Sequence, residues 1–484
     1  MSISSALSNA VGGLNASARA AGVASTNLAN ALTPGYGVRA LELASQSSGN
    51  RGGVSIVGIT RTVDQGILSD RRMSDSQIAS ASTRAEFIGQ LERIVGTPDE
   101  GSSLSARIAA FDASLVLASN KPEATELLQA AVLRAGELAS TLNAISAEIQ
   151  TRRTNADGEI ALAVDRVNTT LAQIETLNTR IRSETKGGNS IAALQDQRQK
   201  AIDQLAEYVP IRQVPRDNGA VALFTPGGAV LLDGKAATLD FTPSNVVAPH
   251  MTLGAGLVSG LTINGINTPA SGPNSRISGG KLSALFEVRD DLGVDANTQV
   301  DALARDLAER FQAAGLDATR APGDPGLFTD GGAVFDPLNE VGIAGRIAVN
   351  AAVDPNNGGD LWKLRDGLGA VAPGAAGNGA LLQDWRQALS QNGALNSGNL
   401  GATARSLSGH SASFTSRIGQ SRLSLDQDIS FAAARQSELK TLELEGGVDT
   451  DAEMQRLLLI EQSYSANARM IQTLDDMMQA LLRI

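Results

Sequence analysis

Residues 457–481, LLLIEQSYSANARMIQTLDDMMQAL, carry the reading that decides the fold. Leu457, Ile460, Tyr464, Asn467, Ile471, Leu474, Met478 and Leu481 recur at alternating spacings of three and four. That period places them on one stripe of a helix and is the pattern of a coiled-coil seam. Asp449, Asp451 and Glu453 stand where such a helix would begin, and carboxylates favour its positive end. Arg483 stands near the other end, and the sequence runs to Ile484 without a polar tail to solvate the stripe. Asn467 interrupts the seam; a polar residue there lowers stability and fixes register.

The beginning of the chain has the same period. Ile3, Leu7, Ala10, Leu14, Ser17, Ala21, Ala24, Leu28 and Ala31 form an apolar or small-residue stripe, with Ser, Asn and Gly opposite. Gly12 and Gly13 each cost about 1 kcal/mol relative to Ala in a helix. A short helix so weakened needs a partner to hold in water. Thr33-Pro34-Gly35-Tyr36 stops it, Pro then Gly suiting the centre of a type II turn. Each terminal seam spans roughly 45 to 50 Å at 1.5 Å per residue. The economical arrangement pairs the two ends with each other and with neighbouring copies.

Between the seams, Gly52-Gly53-Val54-Ser55-Ile56-Val57-Gly58-Ile59 alternates as a strand or hairpin arm. Helix-period residues run from Leu68 to Val95, and Ser102 or Ser103 caps a second helix with Leu104, Ile108, Phe111 and Leu115 inward. Pro122 opens a helical pattern reaching about Glu184, with one weak point at Asp157-Gly158. If continuous, it would extend about 90 Å, the shape of a rod-like building block. A further helix covers Ile191 to Tyr208. From Pro210 to about Pro273 short strands broken by Gly, Pro, Asn and Asp read as a small β domain. Helix returns through Arg289 and Phe311. A Gly-, Ala- and Asn-rich stretch with Trp362 and Trp385 follows, and helix resumes from about Ala404 to Leu444.

The expected architecture is therefore mainly α with inserted β domains: paired N- and C-terminal coiled-coil helices, an elongated helical-bundle body and two β-rich insertions. The expected units are a terminal coiled coil (1–45 with 445–484), the body (46–209, 274–315 and 403–444), a small β insertion (210–273) and a second, β or irregular outer insertion (316–402).

Composition narrows the function classes. Lys and Arg total 40 against 51 Asp and Glu, a net charge of -11, which lacks the basic footprint of a nucleic-acid or anionic-membrane surface. No run of about 18 apolar residues suggests membrane insertion. No Lys or Arg precedes Arg19, and the start lacks a signal-peptide pattern. Cysteine is absent, which removes disulfides, Cys-based zinc sites and a thiol nucleophile. Aromatic residues are only 3% of the chain, which favours long, thin helical packing.

The chemistry-bearing motifs are incomplete. Asp354-Pro355-Asn356-Asn357-Gly358-Gly359-Asp360 begins like a calcium loop, but its twelfth position is Arg365 instead of Glu. His250 and His410 have no fixed-spacing carboxylate or second His and read as solvated or satisfied. Gly279-Gly280-Lys281 lacks the glycine spacing of a phosphate-binding loop. Asp290-Asp291 and Asp475-Asp476 read as solvated pairs at helix ends or outer faces. No catalytic, cofactor or metal residue is assigned, and no enzyme is expected.

Thr26-Asn27-Leu28-Ala29-Asn30-Ala31-Leu32-Thr33-Pro34-Gly35-Tyr36 resembles the N-terminal motif of bacterial flagellar axial proteins. Gly447-Val448-Asp449-Thr450-Asp451-Ala452-Glu453 and Glu461-Gln462-Ser463-Tyr464-Ser465-Ala466-Asn467-Ala468 resemble the C-terminal motif of the same family. Inside the chain, Leu194-Gln195-Asp196-Gln197-Arg198, Gly279-Gly280-Lys281-Leu282-Ser283 with Arg289, and Gly315-Leu316-Asp317 resemble its hook–filament junction branch. Leu32, Ile460 and Phe311-Gln312 depart from the usual residues.

The resemblance implies a structural subunit joining hook to filament. The termini would form the inner layer of a tube, the helical body the next, and the insertions would face outward. It implies export through a narrow channel to an extracellular place in the flagellum, a passage that a chain without cysteine crosslinks suits. The implied partners are further copies in a ring or short tube, the hook protein, a second hook-associated junction protein and an export chaperone on the C-terminal helix. The expected subunit-interaction residues are Ile3, Leu7, Leu14, Leu28, Leu457, Tyr464, Asn467, Ile471, Leu474, Met478 and Leu481, through coupled folding and assembly of the two seams. Two other readings stay open: another axial subunit, of hook or distal rod, and a flagellum-associated cell-wall hydrolase, which would need a pocket carboxylate of raised pKa.

Overall fold

The computed structural model describes residues 3–45, 53–186 and 190–482; Arg483, Ile484 and Gly52 of the expected strand lie outside the described residues. Helix α1 (Ile3–Ala29) leads into the predicted turn, where the Tyr36 amide bonds the Thr33 carbonyl at 3.1 Å and Gly35 takes a φ of 77°. Strands β1 (Val38–Ser45) and β2 (Val54–Thr62) form an antiparallel hairpin with a bulge at Glu42/Leu43. The expected boundary at 45/46 falls within this hairpin, whose two arms are one unit.

The body opens with α2 (Gln65–Val95), capped by the Asp64 carboxylate, and α3 (Leu104–Asn120), capped by Ser103. Leu104, Ile108, Phe111 and Leu115 of α3 are all buried. Helix α4 (Thr125–Lys186) runs unbroken for 62 residues, starting three residues after Pro122. At 1.5 Å per residue it is about 93 Å long. Asp157-Gly158 is therefore no break: apolar packing on both sides of it outweighs the roughly 1 kcal/mol that glycine costs a helix. Helix α5 (Ala192–Tyr208) turns back along α4.

The first insertion holds two antiparallel sheets. One has β3 (Arg212–Pro215), β4 (Val221–Phe224), β5 (Val230–Asp233) and β6 (Lys235–Ala236) in chain order; the other has β7 (Leu239–Asp240), β8 (Leu261–Ile263) and β9 (Ile266–Thr268). Helices α6 (Gly280–Glu287) and α7 (Gly293–Gln312) are joined through a π-helical turn at Val288–Leu292. The second insertion has only a short pair, β10 (Phe328–Asp330) with β11 (Ile347–Val349), several 3₁₀ turns, and α8 (Lys363–Asp366) and α9 (Ala380–Ser390). Helix α10 (Leu407–Glu445) packs along α2, and α11 (Thr450–Leu482) completes the described chain.

The insertions do not have separate cores. Leu223, Leu261, Phe328 and Trp385 belong to the same buried cluster as Leu142 and Ile174 of α4. Phe111, Phe311, Phe328 and Trp385 gather under the second insertion, where Phe311 stacks on Trp385 at 5.4 Å and meets Phe328 edge-on at 5.1 Å. The buried terminal residues Ala10, Ala24 and Leu474 lie outside that cluster.

One expectation about charged groups changes. Asp290 is not solvated: its carboxylate is nearly buried and pairs with Arg289 at 2.8 Å. His410 is buried, with Nε2 2.8 Å from the Gly393 carbonyl, whereas His250 is exposed. Lys281 pairs with Glu159 at 3.2 Å. Asp354 caps the short turn Pro355–Asn357. Among the described residues no group of three or more His, Asp or Glu is placed to hold a metal. No helix among them is long and apolar enough to cross a membrane.

Candidate assembly interface

Helices α1 and α11 pack against each other in antiparallel fashion. Asn27 meets Glu453, and nearer the start of α1 Gly13 meets Asn467, further along α11. A Cβ on Gly13 would lie 2.8 Å from Asn467 Nδ2, so the absent side chain makes the hollow that the seam asparagine fills. Gly13 thus lowers helix propensity but permits close approach.

Asn27 is fully buried, and its amide forms four hydrogen bonds. Nδ2 donates to the Arg39 carbonyl and to Glu453 Oε1, both at 2.8 Å. Oδ1 accepts from the Tyr36 hydroxyl at 2.7 Å and the Arg39 amide at 3.0 Å. This exhausts the ordinary donor and acceptor capacity of the side chain. Burial raises the Tyr36 hydroxyl above its ordinary pKa, with Arg39 acting the other way. At the start of α11 the Asp449 carboxylate caps the Asp451 and Ala452 amides, each at 3.0 Å, which leaves Glu453 to face inward.

The hairpin fastens this terminal unit to the body. Asp196 of α5 receives Arg39 Nη2 at 2.9 Å, Arg61 Nε at 2.6 Å and the Gly37 amide at 3.2 Å. Beside it, Arg71 of α2 pairs with Asp75 at 2.6 Å, Asp203 at 3.0 Å and Glu443 of α10 at 2.7 Å.

The expected interaction residues divide by burial. Leu474 is buried; Ile3, Leu7, Leu14, Leu28, Leu457, Asn467 and Ile471 are half-buried; Tyr464, Met478 and Leu481 are exposed. Met454, Leu458, Leu459, Met470, Met477 and Leu482 are exposed as well, so α11 has a broad apolar surface beyond its seam. An open groove of about 420 Å³ runs between Ala18 and Ala21 of α1 and Leu457, Leu458, Ile460 and Tyr464 of α11. Sequence periodicity identified the seam but missed Asn27, Tyr36, Arg39, Asp196 and Glu453. The available signal was the polar Asn27 at a helix end followed by a turn.

A second polar staple lies halfway along α4. Asp157 and Arg289 are both fully buried and pair at 2.7 Å. Asp157 Oδ2 also accepts the Ser244 amide at 2.6 Å, and Arg289 Nη2 donates to the Ser259 carbonyl at 2.8 Å. Arg153 donates to the Arg289 carbonyl at 2.8 Å and the Met251 carbonyl at 2.5 Å. These bonds fix α4, the first insertion and the π turn together. Burial raises the pKa of Asp290, Asp306 and Asp301, the last to about 6. Each is engaged in packing: Asp290 holds Arg289, Asp306 holds Arg310, and Asp301 accepts the Gly342 and Ala344 amides.

Comparison with known proteins supplies the family. Residues 88–328 match the model of the flagellar hook-associated protein FlgK helical domain, and residues 445–484 match that of the flagellar basal body rod FlgEFG protein C-terminal region. Flagellar hook-associated protein 1 of Bacillus subtilis is 23% identical over 512 aligned positions, covering 97% of this chain and 96% of the relative. The Escherichia coli protein of that name is 25% identical, and the match covers 66% of this chain and 59% of the relative. The Salmonella typhimurium protein is 26% identical, with 67% and 59% covered. Thus the chain spans about three fifths of the length of these two relatives. A solved structure titled as the flagellar hook junction protein FlgK from Burkholderia pseudomallei is 24% identical, with a TM-score of 0.43, and the match covers 55% of this chain and 47% of that one. With one family model on the helical body, a second on the C-terminal helix and a relative aligned along almost its whole length, the chain belongs to the flagellar hook-associated protein 1 family.

Proposed function

We propose that this chain is a structural subunit of the bacterial flagellum that joins the hook to the filament, outside the cell, through its paired terminal helices. One observation carries the reading: α11 retains an exposed apolar surface that α1 leaves uncovered. Neighbouring terminal pairs in a ring or short tube would cover it. Removing roughly 300 Å² of apolar surface from water would contribute about 7 kcal/mol before ordering costs are subtracted. The terminal pair would form the inner layer, the helical body the next, and the two insertions the outside. Hook protein on one side and a second hook-associated junction protein on the other are the expected neighbours. Before assembly an export chaperone would shield the same α11 surface.

The test is complementation of a flagellated bacterium that lacks its own hook-associated protein 1. The full chain should restore filaments, and a chain without residues 450–484 should not. Leu458→Gln combined with Met470→Gln and Met477→Gln should leave the free subunit as helical as the parent while abolishing filament growth. Filaments on the truncated subunit would sink the proposal.

A further inference from the structure

Arg61 of β2, Arg72 of α2 and Arg198 of α5 line one cavity of about 280 Å³, together with Gln65, Gln199 and Gln213. That is several times the room one water molecule needs. Two of the guanidinium groups have carboxylates: Arg61 Nε bonds Asp196 at 2.6 Å and Arg72 Nε bonds Asp203 at 2.7 Å. Arg198 Nη1 instead donates to Asn178 Oδ1 at 2.8 Å and the Gly219 carbonyl at 2.7 Å, both neutral acceptors. Among the described residues it has no carboxylate partner. Burial, and then the like charges of Arg61 and Arg72, push Arg198 down to about 10.

The second observation is at Arg72. Its side chain is 2% exposed, Nη1 donates to Gln213 Oε1 at 2.9 Å, and Nη2 has no partner. A buried donor without an acceptor is costly, more so on a charged group. Planar guanidinium forks suit the oxygens of phosphate and sulfate. We propose that this cavity binds a small tetrahedral oxyanion, inorganic phosphate or sulfate, held between Arg72 and Arg198 where the hairpin, α2 and α5 converge. The flanking glutamine amides supply neutral donors, and the bound anion ties the hairpin to the body beside Asp196. This assignment does not depend on the flagellar role.

The experiment uses the full chain. Inorganic phosphate is titrated calorimetrically, and melting is followed in phosphate, sulfate and chloride at matched ionic strength. Phosphate and sulfate should raise the melting temperature saturably, by about 2 °C or more over chloride. Gln65→Glu puts a competing carboxylate at an exposed position on the cavity wall and should remove that rise with the circular-dichroism spectrum unchanged. Arg198→Gln should remove it too; should that variant fail to fold, Gln65→Glu decides alone. Equal melting in phosphate and chloride, or a full phosphate response in Gln65→Glu, overturns the proposal.

Discussion

Asp157 and Arg289 show at the scale of single residues what a sequence conceals. An Asp before a Gly within a helical pattern reads as a point of weakness, yet this carboxylate is buried and receives both a guanidinium and a backbone amide. Periodicity reports apolar faces; a charge turned inward to a distant partner looks the same in sequence as one turned to water. The same blindness hid Asn27, Asp196 and Asp290. Asp157→Ala leaves Arg289 with one fewer counter-charge in a fully buried place, and denaturant unfolding should register a loss of about 3 kcal/mol or more. Asp301 gives a pH signature. Its pKa is raised from 3.8 to about 6, so its favourable contribution is complete below about 4 and disappears as pH rises through 6. The stability of the parent relative to Asp301→Asn should therefore increase between pH 7 and pH 4.5, by on the order of 1 to 2 kcal/mol. Parallel melting curves for the two proteins at both pH values check this.

Among elements, the long helices were the most legible. Stripes on α2, α3, α4 and α11 follow the 3.6-residue period, and Asp64, Ser103 and Gly96 mark helix ends where their side chains or backbone angles require. The second insertion was less legible because its chain is held by 3₁₀ turns, Asp and Asn caps and a few buried aromatics, none of which has a period. Gly158 tests the continuity of α4. It is exposed in the helix interior, and a Cβ there would meet nothing within 4 Å. Gly158→Ala should stabilise the protein by about 0.5 to 1 kcal/mol, read as a higher denaturant midpoint. The pairing of α1 with α11 has its own test in a chain without cysteine. Gly13→Cys together with Asn467→Cys should form an intramolecular disulfide on mild oxidation, because a Cβ at 13 would lie 3.1 Å from Asn467 Cγ. Non-reducing electrophoresis and mass spectrometry of the full chain would detect it, and failure to oxidise would contradict the register.

At the scale of the molecule, the body and both insertions share one core, whereas the terminal pair is attached through the hairpin and its Arg39 and Arg61 ion pairs to Asp196. Removing residues 450–482 should therefore take away the helical signal of α1 along with that of α11, since α1 alone has too little to bury. The body should keep its own melting transition. Circular dichroism of the truncated and full chains measures both outcomes.

The bond between Asn27 and Glu453 joins positions 426 residues apart, and it closes the chain on itself. Contacts of such long range form late, because the intervening segment must first be brought into place. On a ribosome Asn27 emerges early and waits for its mate until the 426 residues that lead to Glu453 have followed. The finishing clasp is thus a timer: it snaps shut only once Asn27 and Glu453 are both free to meet, and it leaves any shorter piece unfastened.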